Sequence, residues 1–132
     1  MIKFKAGGTL EHDFYNKLEP KLRGFLLMVA GFIEYHFNKD MIITSLFRED
    51  GGVHNFWRGA DQRTHDPETK LPLFEPEEID AIVKFALREV PYNYNGRYDL
   101  KFSIRDERKE PLKQGSKTKW SGPHLHYQTD RA

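Results

Sequence analysis

The 132-residue chain contains no cysteine. That excludes a disulfide framework, a thiol nucleophile and any thiolate-bound metal. It leaves the compartment open, because a disulfide-free domain folds in reducing and oxidising surroundings alike. Long hydrophobic runs are missing too. The most apolar stretch, residues 25–33 (FLLMVAGFI), falls well short of the roughly 18 residues that cross a bilayer, and Arg23 and Glu34 bracket it. It reads as a buried helix, with no membrane span. Residues 1–8 lack the apolar core of a signal peptide, so synthesis in the cytoplasm is expected. An excess of one charge is also absent: 21 Lys and Arg against 20 Asp and Glu leave a net charge of +1. A dedicated nucleic-acid binder carries a larger basic surplus, so no nucleic-acid partner is expected. Attraction to an anionic polymer is not excluded.

What is present suits one packed domain over residues 1–132. Hydrophobic residues make up 38% and aromatics 14%, enough for a core without covalent staples. Across residues 13–38, Leu18, Leu22, Phe25, Leu26, Val29, Phe32, Ile33 and Phe37 recur at helical steps, with Pro20 in the first turn of the main helix. Residues 41–47 (MIITSLF) predict a buried strand, 59–64 a second, and 98–105 a half-exposed strand by alternation. The acidic start at 75–78 opens another helix, which Pro91 is expected to stop. Residues 106–122 are polar and rich in Lys and Gly, a loop, and 123–129 reads as the last strand. A short first strand fits within residues 1–12. The pattern predicts an α+β fold: an antiparallel sheet with a long N-terminal helix and a second helix packed on one side.

Two distant segments carry the chemistry. His54 and Asp61 stand seven positions apart, after the strand at 41–47. His124 and His126 lie on the last strand, where the two-residue period puts both imidazoles on one face and Leu125 toward the core. Imidazole nitrogen and carboxylate oxygen are the usual non-thiolate ligands of zinc, and a catalytic zinc needs three protein ligands plus an open position. Two imidazoles buried side by side without a partner are costly, and a cation compensates them. Arg48, near the end of the strand before His54, suits a substrate carboxylate or a developing oxyanion, or a surface ion pair with Glu49 or Asp50. Trp57 and Trp120 are candidates for cleft walls, or for packing. His65 fits a rim or a solvated loop, and His12 and His36 read as structural or exposed.

These elements together resemble the D-alanyl-D-alanine carboxypeptidase and L-alanyl-D-glutamate endopeptidase family of zinc peptidases. Residues 43–48 (ITSLFR) look like its T-S-x-x-R strand. Residues 54–61 (HNFWRGAD) match its H-x6-D element, including the small pair Gly59 and Ala60 before the Asp. Residues 124–126 (HLH) resemble the H-x-H of the wider superfamily, which includes lysostaphin-type enzymes and the hedgehog signalling domain. The likeness covers roughly residues 13–129, and the compact size is similar to phage and prophage members.

The resemblance implies a hedgehog/DD-peptidase-like fold, one Zn2+ held by His54, Asp61 and His126, and a non-ligand His124 beside it. It implies Arg48 at substrate or oxyanion, with Ser45 supporting that strand or binding substrate. The implied reaction is hydrolysis of peptide bonds in peptidoglycan stem peptides, by an enzyme reaching the cell wall after release or in a virion. Two departures stand out. The family places a catalytic carboxylate a few positions before the last ligand, but none occurs here between Glu110 and His126. His124, Asp106, Glu107, Glu110, Glu49 and Asp50 are the alternatives for its role. Gly52 and Val53 precede His54 where many members carry Ser. The first departure keeps open a non-catalytic zinc-binding module of the same fold, with a structural or interaction role.

Overall fold

Residues 20–37 make the longest apolar stripe in the chain, and they form its central helix. In the computed structural model, which describes residues 1–46, 57, 59–94, 102–107 and 124–129, this helix (α2, Pro20–Phe37) buries Leu22, Phe25, Leu26, Val29, Ala30 and Ile33. A shorter helix, α1 (Leu10–Asn16), precedes it. The periodic stretch over 13–38 is therefore two helices rather than one. Pro20 disfavours helical geometry in the residue before it, and Glu19 is extended at ψ 126°. Its carboxylate turns back to accept the Lys21 and Leu22 amides at 2.8 and 3.0 Å, capping α2. Arg23 closes the corner by donating to the carbonyls of Phe14 and Leu18 at 2.7 and 2.9 Å. At the far end Asn38 takes the left-handed conformation, φ 52°, and stops the helix.

Among the described residues five strands form one sheet: β1 (Ile2–Phe4), β2 (Met41–Ser45), β3 (Gly59–Arg63), β4 (Phe102–Glu107) and β5 (His124–Thr129). Their order is β1-β2-β3-β5-β4. The sheet is mixed, not wholly antiparallel as expected. β1 runs parallel to β2, because α1 and α2 carry the chain across and return it in the same direction. The other pairs are antiparallel. The third helix, α3 (Pro76–Tyr94), begins where the acidic cluster predicts but runs on through Pro91. Proline forfeits one intrahelical hydrogen bond there without ending the helix. The strands expected at 41–47 and 98–105 are described over Met41–Ser45 and Phe102–Glu107.

One sheet face joins the helices in a single core. Met41, Ile43, Ala60, Leu125 and Tyr127 are fully buried with Leu22, Phe25, Ile33, Ile79 and Ile82. The Phe25 and Tyr127 rings meet edge to face at 6.2 Å, fastening α2 to β5. Phe32 stacks on Phe85 at 4.3 Å, fastening α2 to α3. Each such side chain contributes about 1.5–3 kcal/mol on burial. Among the described residues, no helix is long and apolar enough to cross a membrane.

Candidate metal centre

The opposite face of β3 and β5 carries the polar groups. Alternation sends Ala60, Leu125 and Tyr127 into the core, and so sends Asp61, His124 and His126 the other way. The ladder pairs Asp61 with His126 and Arg63 with His124. Asp61 and His126, 65 positions apart in the chain, thereby become cross-strand neighbours. Asp61 is 3% exposed, His126 7% and His124 9%, so their polar atoms are largely withdrawn from water and depend on one another.

The contacts are direct. His126 Nδ1 lies 2.9 Å from Asp61 Oδ1. His124 Nε2 lies 3.8 Å from the same oxygen. The second ring nitrogen of His126, Nε2, lies 2.8 Å from Gln128 Oε1. Both flanking oxygens are acceptors; with the proton on Nε2 given to Gln128, Nδ1 would be left for a cation next to the carboxylate. Sequence reading passed over Gln128, although the two-residue period alone puts it on the face of His124 and His126.

Ser45 reaches this face through an irregularity. The β2–β3 register pairs Ile43 with Gln62 but Ser45 with Asp61, so β2 spends an extra residue between them. Without it Ser45 would share the core side of Ile43; with it Ser45 stands opposite Asp61. Thr44 Oγ1 donates to the Asp61 carbonyl at 3.4 Å, holding the strand at that point. A row of positions thus crosses the sheet: Ser45, Asp61, His126 and, on β4, Arg105. A second row runs Arg63, His124 and, on β4, Glu107.

Trp57 is partly buried and left-handed, φ 58°. Its carbonyl accepts the Glu19 amide at 2.9 Å, and the Lys17 ammonium sits 5.5 Å from its ring centre. Those contacts tie Trp57 to the α1–α2 corner. His65 is engaged elsewhere, with Nδ1 3.0 Å from Thr64 Oγ1 and a bridge to Pro72. Arg48, His54 and Trp120 lie outside the described residues, as does most of the loop expected at 106–122.

The donors present fit a zinc ion in kind. An aspartate oxygen and an imidazole nitrogen share one contact, and a partner on the far ring nitrogen sets the ligand orientation. Among the described residues no group of three or more His, Asp or Glu side chains is arranged to hold a metal ion. No protein-family model matches this chain, and no curated protein or solved structure matches it either.

Proposed function

We propose that this domain is a zinc-dependent peptidase of peptidoglycan stem peptides, with a hedgehog/DD-peptidase-like fold. The observation that carries the reading is the meeting of Asp61, His124 and His126 on one buried sheet face. The pattern that suggested a joint site lies 65 residues apart in sequence, and incidental histidines would have no reason to converge on the aspartate. In this reading His54, Asp61 and His126 hold the ion. When bound, zinc lowers the pKa of water toward about 7 and polarises the scissile carbonyl.

The protein's own groups do the rest. Gln128 holds the His126 ring in the tautomer that ligation needs. His124 lies 3.8 Å from the carboxylate, farther than His126, and in this reading it would pass a proton to the leaving amine or steady charge on the former carbonyl oxygen. Arg48 shares that charge. Ser45, opposite Asp61, suits a contact with substrate backbone. The β4 register supports Glu107 for the missing carboxylate: it pairs with His124, whereas Asp106 pairs with Leu125 on the core-facing register.

The test combines metal analysis with turnover. Purified protein should hold one zinc per chain and cleave stem peptides or purified peptidoglycan. Cleavage should vanish with His126→Ala and with a chelator, and return on adding zinc. The absence of any carboxylate between Glu110 and His126 favours the second reading, a zinc-binding module without turnover. Stoichiometric zinc with no cleavage of any stem peptide would select it, and no zinc would sink both.

A further inference from the structure

β5 reads nearly the same when displaced by two positions. Residues 124–128 are His, Leu, His, Tyr and Gln, and a two-residue shift along β3 keeps each side chain on its own face of the sheet. In the observed ladder Asp61 pairs with His126 and Ala60 with Tyr127. Shifted by two, Asp61 would pair with His124 and Ala60 with Leu125. A histidine would still meet the aspartate, and an apolar side chain would still enter the core. Among the described strands β4 borders β5 alone, so that ladder sets no register against β3. One contact does tell the two arrangements apart. The Tyr127 hydroxyl donates to Gln62 Oε1, and both residues are fully buried. Gln62 pairs directly with Leu125, so Tyr127 reaches it along the diagonal, two positions on. In the shifted ladder Pro123 would stand opposite Gln62 and Leu125 would take the diagonal. Neither side chain bears a hydrogen-bonding group, so the buried carboxamide would lose its partner.

We infer that Gln62 and Tyr127 are positioning residues: their buried hydrogen bond selects the β3–β5 register, and so sets His126 rather than His124 against Asp61. A polar pair inside an apolar core adds little net stability over an apolar pair of the same shape. Its effect is to penalise an arrangement that leaves one member alone, as a single buried polar residue fixes the register of a coiled coil. The choice reaches the far face of the sheet. Gln128 stands two residues beyond His126 and meets its Nε2; in the shifted ladder the histidine at Asp61 would have His126, not Gln128, in that place. The register itself stands on the fold alone. Its consequence, the choice of which histidine binds zinc, rests on the peptidase reading.

The experiment uses full-length, isotope-labelled protein without metal and reads the register from cross-strand nuclear Overhauser effects. Wild type should give one set of resonances, with Asp61 against His126. The double variant Gln62→Met with Tyr127→Phe keeps the ring that meets Phe25 and leaves no buried polar group orphaned. Its urea midpoint should stay near that of wild type. It should nevertheless show a second set, with Asp61 against His124, at about a tenth of the population or more. Cobalt(II), added as a spectroscopic probe, should bind the double variant about tenfold more weakly and give altered visible bands. Tyr127→Phe alone also keeps the ring and supplies the same two readouts should the double variant not fold. One set in the variants, with Asp61 against His126 and the wild-type cobalt spectrum, overturns the inference and reduces the pair to a packing contact. Asp61 against His124 in wild type overturns it as well. Two registers in the variants with no cobalt or zinc bound by any form sustain the inference and sink the peptidase reading. Metal retention and stem-peptide cleavage with a single register throughout do the reverse.

Discussion

At the contact between Asp61 and His126, one carboxylate oxygen serves two imidazoles, at 2.9 and 3.8 Å. Removing its charge should therefore release any metal without disturbing the core behind it. Asp61→Asn is expected to abolish zinc retention in equilibrium dialysis while leaving the circular dichroism spectrum unchanged. In the proposed site Gln128 would act through the His126 ring rather than on the ion. Gln128→Ala should weaken zinc about ten- to hundredfold, the usual worth of a partner behind a metal-bound histidine, measured by competition with a chromogenic chelator. On the core side of the same strands, Tyr127 donates its hydroxyl to Gln62 Oε1. Burial pushes that phenol far above its usual range, so it stays a donor. Tyr127→Phe leaves the buried Gln62 amide oxygen without this partner, while its Nε2 already finds none among the described residues. The expected loss is about 1–3 kcal/mol, read from urea unfolding.

At the scale of elements, the caps decide boundaries that periodicity cannot. Apolar spacing over residues 13–38 looked continuous because both helices bury residues in the same core. What divides them is the Glu19 carboxylate and the Arg23 guanidinium meeting backbone groups at the corner, a three-dimensional arrangement invisible to a one-dimensional pattern. Glu19→Ala should cost about 0.5–2 kcal/mol, as loss of an N-terminal cap does, and thermal unfolding would report it. The strands carrying Asp61, His124 and His126 were legible because two-residue alternation is a strong local signal, and it also foretold Leu125 in the core. Ser45 was named as a candidate, but its place opposite Asp61 depends on the extra residue in β2, and nothing in the letters 43–45 announces that. The parallel β1–β2 pair was illegible for another reason: pairing direction depends on where intervening helices deliver the chain.

For the molecule as a whole, acidity works through a few surface contacts. Glu78 is pushed up by partial burial, but its hydrogen bonds with the Lys39 ammonium and the Glu75 amide outweigh that and hold it below the ordinary 4.5. Asp66 is held below 3.8 mainly by the Thr69 and Glu68 amides. In both cases the folded state binds protons less readily than the unfolded chain. Their contribution is therefore complete above the unfolded values and disappears as pH falls through the folded ones. Stability should decline as pH drops below about 4.5, and Glu78→Gln together with Asp66→Asn should flatten that decline in unfolding curves taken between pH 3 and 6.

The strand order has a further result. β5 is last in the chain among the described strands, yet it lies inside the sheet, between β3 and β4. Until it inserts, β4 has no strand partner in the sheet, Phe25 lacks the Tyr127 ring, and Asp61 lacks both histidines. Insertion of this one strand thus closes the sheet and brings the histidines to Asp61 in a single event.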